Sequence, residues 1–203
     1  MKDYTFSPFF CNGGDDRTLL SLIGSLAEAE FGADAYAKLI DLFRRNLPFE
    51  ELADSALDEK NSTLRHILDL LKSWQKDGII HPAWFNAKPE DVILFMQENF
   101  SAVIYMSLEE DRTVPLKLIK NFEQSRFPAV KESSPHGIIA PPLVCLKLSK
   151  NSNADSIMKS IVSEHSQTRL SERTKLAPVH SQAEVFDKQA DDLRFFAAAT
   201  ARG

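Results

Sequence analysis

Apolar residues recur with a helical period over most of the first 80 residues, and this pattern limits the possible fold more than any other feature. Leucine, isoleucine, alanine and aromatic residues fall three and four positions apart within 17–30, 35–46 and 62–77. A shorter segment of the same kind, 48–57, begins at a proline. The sequence therefore predicts a helical bundle over residues 17–80.

Residues suited to begin or end a helix flank these segments. Asp15 and Asp16 stand before the first segment, and either Asn61 or Ser62 stands before the last; a side-chain oxygen there can accept a hydrogen bond from the first helical turn. Gly78 follows the last segment, where a residue with positive φ commonly ends a helix. Ile79 and Ile80 are then expected to pack back onto the preceding helix.

The following residues, 81–164, are predicted to form a mixed α/β segment packed on the bundle. Prolines, charged turns and short β-prone runs alternate there with weaker helical patterns. The fold class is therefore mainly α, or α+β with minor strands. The expected elements are a helix over 89–99, a strand over 102–106, a turn over 109–112, a helix over 113–124, a strand over 143–148 and a helix over 155–164.

Both ends of the chain are predicted to form peripheral segments. Residues 1–16 are expected to form an extended aromatic arm, and 165–203 a linker up to residue 181 followed by an amphipathic C-terminal helix. Such a helix can lie in the groove of a partner protein or cap its own core. If it binds a partner, the expected contacts are Phe186, Leu193 and Phe196.

Charge and cysteine content limit the class of protein. The chain has 203 residues and a formal net charge of -5, with six acids and two bases in residues 1–35, which disfavours a general polyanion binder. Two distant cysteines do not form a secreted disulfide framework, and we find no signal-peptide pattern or apolar run long enough for a membrane span. These features favour a cytoplasmic location, although signal-independent export would be compatible with them.

Residues 36–80 resemble the helical part of a winged-helix domain, in which the third helix leads through a glycine into a strand. That resemblance implies that Ser62, Thr63, Arg65 and His66 would contact a DNA major groove. The segment is not basic and no hairpin wing follows it, so the alternative is a plain three-helix core. A winged helix can also dock proteins, which suits a neutral segment better.

Cys11 and His136 are the candidates for a catalytic pair. Cys11 lies before a glycine pair and a helix N-terminus, a position that can lower the pKa of a thiol. His136 lies in a proline-rich loop before an apolar run, a place where a catalytic base can occur. The alternative is that Cys11, which follows two phenylalanines, is a buried apolar residue.

No motif predicts a metal site or a cofactor. The five histidines are scattered, and the glycines do not form a phosphate-binding loop. The leading hypothesis is a non-enzymatic protein–protein interaction protein, such as an adaptor, an assembly component or a regulator, whose partner is another protein. The two alternatives are a winged-helix DNA-binding regulator and a Cys/His hydrolase or transferase.

Overall fold

The structure is a computed structural model that describes residues 5–45, 48, 62–123, 125, 127–128, 137–139, 148, 150–185, 190 and 200–202. Its chain divides into two compact units, Met1–Gly137 and Ile138–Gly203. The division into four segments made from the sequence stays a prediction.

Three long helices of the first unit occupy the segments with the strongest helical period. They are α1 (Asp16–Phe31), α2 (Ala33–Arg44) and α3 (Thr63–Lys76). The predicted caps are confirmed: the Asp15 side chain accepts from the backbone N–H of Thr18, and Ser62 accepts from that of Arg65.

The end of α3 follows the prediction made from Gly78. This glycine adopts a φ of 71°, in the left-handed region that a Cβ disfavours. The backbone N–H of Ile79 then donates to the carbonyl of Trp74 at 2.8 Å, and that of Ile80 donates to the same oxygen at 3.2 Å. Because the chain reverses here, Ile80 reaches the core, where it is fully buried.

Two parallel strands cross the first unit, β1 (Ser7–Cys11) and β2 (Ser101–Tyr105). Their register pairs Ser7 with Ser101 and Cys11 with Tyr105. Ile80 forms a further parallel bridge with Phe9. The prediction of a separate N-terminal arm over 1–16 is corrected by this pairing, because residues 7–11 form a strand in which Phe10 and Cys11 are fully buried.

Shorter elements complete the first unit. A 3₁₀ turn (Trp84–Asn86) leads to α4 (Pro89–Gln97), and β2 is followed by α5 (Leu108–Thr113) and α6 (Leu116–Ile119). α5 replaces the predicted charged turn because Ser107 and Glu110 form a reciprocal capping box. The helix predicted over 113–124 is reduced to α6.

One apolar cluster forms the core of the first unit. Its centre is a stacked pair, Phe10 and Phe95, with ring centroids 3.7 Å apart. The helices contribute apolar side chains from their inward faces. β1 contributes Phe10 and Cys11, and β2 packs Ile104 and Tyr105 against the cluster. The fully buried aliphatic members are Leu22, Ala27, Ile67 and Ile80.

The second unit contains two short paired strands, β3 (Gly137–Ile139), which starts at the boundary, and β4 (Thr200–Arg202). Between them lie α7 (Ser152–Ile161) and α8 (Glu164–Thr174). α8 corrects the prediction of a linker in this region. Its sequence lacks an apolar period, but Ser163 caps its first turn and Lys175 ends it with a positive φ.

The prediction of a mainly helical chain is confirmed. Within the described ranges, no helix combines the length and apolar character needed to cross a membrane. The short helix predicted over 48–57 and the strand over 143–148 lie almost wholly outside the described residues. A third of the winged-helix-like segment, residues 46–47 and 49–61, also lies outside them, so that resemblance stays a prediction.

Candidate functional site

Three extended segments end at the same edge of the first unit. Because β1, Ile80 and β2 pair in parallel, their carboxyl ends lie together. In α/β proteins this edge is where ligands commonly bind, since the loops that leave the strands converge there. We call the region formed by residues 12–15, 84–87 and 106–110 the strand-end site.

A glycine pair forms the base of the strand-end site. The backbone N–H of Gly13 donates to the carbonyl of Trp84 at 2.9 Å, and that of Gly14 donates to the carbonyl of Ala87 at 3.1 Å. A Cβ at Gly13 would lie 2.5 Å from the Trp84 ring, and one at Gly14 would lie 2.4 Å from the Ala87 carbonyl oxygen. Close approach of two backbones therefore requires both glycines.

Glu110 connects three elements at the site. Its carboxylate accepts from the backbone N–H of Ser107 at 2.7 Å and from the Asn12 side-chain amide at 3.1 Å. The Thr18 hydroxyl in α1 lies 3.5 Å from each carboxylate oxygen. The half-buried carboxylate thus joins the end of β1, the start of α1 and the start of α5.

Asn12 supplies a buried polar group beside this carboxylate. Its side chain is fully buried and its amide nitrogen donates to Glu110. Its oxygen, Oδ1, has no hydrogen-bond partner among the described residues. A buried acceptor without a donor costs about 1–3 kcal/mol, so a donor from a water molecule or a ligand would be stabilising.

The last residues of the two strands are weak acids whose ionisation is suppressed. Burial first, and then the nearby charge of Glu110, raises the pKa of the Cys11 thiol to about 12. Burial is also the main cause that raises the pKa of Tyr105 to about 12, although a hydrogen bond with Ser25 at 3.0 Å opposes it. Both groups are therefore neutral at physiological pH.

An aromatic side chain lies at the rim. Phe85 is 55% exposed and stands within the 3₁₀ turn whose backbone contacts the glycine pair. Trp84 before it is buried, and the two rings meet edge to face with centroids 5.6 Å apart. The strand-end site therefore combines hydrogen-bond acceptors with an exposed aromatic surface.

The residues predicted to contact DNA lie at the start of α3. Ser62 is the helix cap, and Arg65 and His66 are exposed on the first turn. The His66 ring lies 3.7 Å from the Glu30 carboxylate and contacts Phe31 edge to face. They lie on one helix turn, and their contact with DNA stays a prediction.

The other predicted site residues are not brought together within the described part of the chain. Cys11 is buried at the end of β1, while its proposed partner His136 lies outside the described residues. Phe186, Leu193 and Phe196 also lie outside them. Across the described ranges, no group of three or more histidine, cysteine or acidic residues is arranged to hold a metal ion.

Sequence reasoning did not identify the strand-end site. Asn12 and Glu110 are 98 positions apart, and parallel pairing of β1 and β2 is what brings them together. One local signal was present: Ser107 and Glu110 have the Ser-x-x-Glu spacing of a capping box. That spacing predicts a helix start, but it does not indicate the contact with Asn12.

Comparison with known proteins gives a likeness in fold. No protein-family model matches the sequence, and no curated protein does. A binding protein of Bacillus subtilis, MsmE, solved in an open conformation, matches 98% of this chain and 49% of its own, with 16% identity and a TM-score of 0.68. A sugar transporter of Bacillus licheniformis, solved in complex with stachyose, matches 98% of this chain and 50% of its own, with 16% identity and a TM-score of 0.64.

The chain spans about half the length of each solved structure that it matches. At this level of identity, the similarity establishes a shared fold and nothing about the ligand.

Proposed function

We propose that this chain forms part of a solute-binding protein and binds a carbohydrate at the strand-end site without transforming it. The observation that carries the proposal is the shared fold with two binding and transport proteins over 98% of the chain. One of those structures holds an oligosaccharide, which suggests the class of ligand to test first.

The geometry of the strand-end site supports this proposal. Ligands of α/β proteins commonly bind beyond the carboxyl ends of parallel strands, and three such ends meet here. The turn at Gly13 and Gly14 is fixed by backbone hydrogen bonds to residues 84 and 87. A site whose loops are fixed before binding loses less conformational entropy when the ligand arrives.

The side chains at the site suit a sugar. Hydroxyl groups can donate to the half-buried Glu110 carboxylate, beside which Asn12 Oδ1 is a buried acceptor without a donor among the described residues. The exposed ring of Phe85 offers an apolar face against which the C–H face of a sugar ring can pack. A few polar groups beside an aromatic surface are typical of small-molecule sites.

Saturation-transfer-difference NMR on the full chain tests the proposal with stachyose, raffinose and maltotriose at millimolar concentration. We expect saturation transfer from the protein to at least one of these sugars. Phe85→Ala should raise the Kd about tenfold, which corresponds to a loss of about 1.4 kcal/mol in binding free energy. Phe31→Ala is the matched control, because this 45% exposed ring lies at the opposite end of α1 from the site. Absence of transfer to all three sugars would contradict the proposal.

The functions inferred from the sequence stay predictions. In the hypothesis of a protein–protein interaction protein, Phe186, Leu193 and Phe196 contact the partner. If a chain truncated after residue 181 captures the same partners in a pull-down as the full chain, the C-terminal helix has no such role. A fluorescence-anisotropy titration with duplex DNA of random sequence tests the winged-helix DNA-binding regulator. At low salt, attraction to the DNA phosphates should be detectable even without a specific sequence. The Cys/His enzyme and the cytoplasmic location likewise stay predictions.

A further inference from the structure

The Glu110 carboxylate carries a charge that no base neutralises within the described part of the chain. Its hydrogen-bond donors are the Ser107 backbone, the Asn12 amide and the more distant Thr18 hydroxyl, which are all neutral. The adjacent Asp111 differs, because Arg112 donates to it at 2.7 Å. The half-buried Glu110 therefore leaves a fixed negative charge at the strand-end site.

A second, independent feature of the site also calls for a hydrogen-bond donor. Asn12 Oδ1 is fully buried and has no donor among the described residues. The amide nitrogen of the same side chain donates to Glu110, which holds the side chain in place. Asn12 and Glu110 therefore present acceptors together. A ligand that brings N–H or O–H groups satisfies them, whereas an anionic ligand brings further acceptors and a like charge.

The negative potential extends to both strand ends. After burial, the charge of Glu110 is the next cause that raises the pKa of Cys11, and it is among the causes that raise the pKa of Tyr105. Arg112, the base nearest to Glu110 in sequence, is paired with the adjacent carboxylate, and the bases beside the other two segments of the site, Arg17 and Lys88, are exposed. Solvent and salt screen their mobile charges more strongly than the fixed carboxylate.

We propose that the strand-end site selects neutral or amine-bearing carbohydrates and rejects those that carry a carboxylate or a phosphate. This inference rests on the proposed function and specifies the substrate class of the same site. Placing an anion beside the uncompensated Glu110 carboxylate is unfavourable, and like-charge contacts are a common means of rejecting a wrong ligand.

A measurement that needs no sugar tests the charge itself. Gly14 is exposed two residues after Asn12, so paramagnetic relaxation of its amide proton by cationic and anionic nitroxides reports the local potential. We expect stronger relaxation by the cationic probe, and we expect Glu110→Gln to reduce the difference. Glu98→Gln is the matched control, because Glu98 precedes β2 at its amino end and should leave the difference unchanged.

Equal or stronger relaxation by the anionic probe in the wild-type chain would overturn the inference. That wild-type result is decisive even if Glu110→Gln does not fold.

Ligand competition supplies the second test, with glucose, glucosamine and glucuronate as probes that differ mainly in charge. We expect glucuronate to bind at least about tenfold more weakly than glucose, and glucosamine to bind at least as well as glucose. Glu110→Gln should narrow the gap between glucose and glucuronate.

The outcomes separate this inference from the proposed function. If glucuronate binds as well as glucose, or if Glu110→Gln leaves the gap unchanged, the charge selection is wrong while carbohydrate binding stands. If none of these sugars nor the oligosaccharides bind, the proposed function fails and the selection fails with it. Stronger relaxation of the Gly14 amide proton by the cationic nitroxide would then show only that the surface is negative, without a role in sugar selection.

Discussion

The two units bury different kinds of side chain. In Met1–Gly137, phenylalanine, leucine and isoleucine dominate the buried residues around the Phe10–Phe95 stack. In the described part of Ile138–Gly203, the buried side chains are Gln167 and Ser171, both polar. One unit therefore excludes water from an apolar core, while the described helices of the other are joined by hydrogen bonds.

Hydrogen bonds connect α7, α8 and the segment that follows them. The side-chain amide of Gln167 donates to the carbonyl of Ile161 at 3.0 Å, and its oxygen accepts from the backbone N–H of Val179 at 3.2 Å. The hydroxyl of Ser171 donates to the carbonyl of Leu176 at 2.9 Å. Ile157 on α7 is meanwhile 60% exposed.

This difference determines how each unit should respond to substitution. Apolar burial stabilises in proportion to the area and volume removed from water, so a large truncation is costly. A hydrogen-bonded junction depends on direction, so the loss of one polar group leaves its buried partners unsatisfied while the volume hardly changes.

Phe95→Ala should have the largest effect. It removes a fully buried ring that stacks on Phe10 and meets His81 and Phe100 edge to face. We expect a loss of about 3–5 kcal/mol in the free energy of unfolding, from lost burial and the cavity that remains. Tryptophan fluorescence during urea unfolding measures it, because Trp74 and Trp84 both lie in the first unit.

Phe6→Ala is the matched control for that substitution. Phe6 is 60% exposed, so its removal should change the free energy of unfolding by less than about 0.5 kcal/mol. Equal losses for Phe6→Ala and Phe95→Ala would mean that the stacked pair is not the centre of the core.

Gln167→Met should have a smaller and more local effect. Methionine keeps most of the volume of glutamine but cannot hydrogen-bond the backbone of Ile161 or Val179, which should cost about 1–3 kcal/mol. Native-state hydrogen exchange should accelerate at the Val179 amide and stay unchanged at Phe9, whose amide donates to Ile79 in the first unit.

Gln182→Met provides the control in the second unit, because Gln182 is an exposed residue of the connection after α8. It should leave exchange at Val179 unchanged. If Gln167→Met also leaves exchange at Val179 unchanged, the hydrogen bonds of Gln167 do not stabilise the second unit. The two units would then not differ in the kind of interaction that stabilises them.

The sequence predicted the parts of the fold that short-range physics determines. α1 and α3 were predicted almost to their ends because an apolar period and local caps at Asp15 and Ser62 agree. β1 was misread as an arm because its partner β2 lies more than ninety residues away. α8 was missed because its buried face is polar, so no apolar period marks it.

The same division applies to the candidate site. The glycine pair was visible in the sequence. Glycine is required there because Trp84 and Ala87 approach the pair closely, and that approach depends on how distant segments pack. The contact of Asn12 with Glu110 depends on strand pairing in the same way.

Alkaline pH should produce the smallest change in the free energy of unfolding, and this change reports how well the apolar core excludes water from Cys11. The pKa of the buried Cys11 thiol is raised from 9.0 to about 12, so the folded chain keeps the proton that the unfolded chain loses. This contribution to stability is complete below the unfolded pKa and is lost as the pH rises toward 12. Between pH 9 and 10, the thiol should account for a loss of about 1 kcal/mol in the free energy of unfolding.

Cys11→Ala isolates this contribution. The substitution leaves a small cavity whose cost does not depend on pH, but it removes the titrating group and should make the decline between pH 9 and 10 shallower. Tyr105 gives a later decline in both proteins, because its pKa rises from 10.0 to about 12, also mainly through burial. Identical slopes for the wild type and Cys11→Ala would contradict a thiol held neutral by the core, since an exposed thiol ionises equally in the folded and unfolded chains.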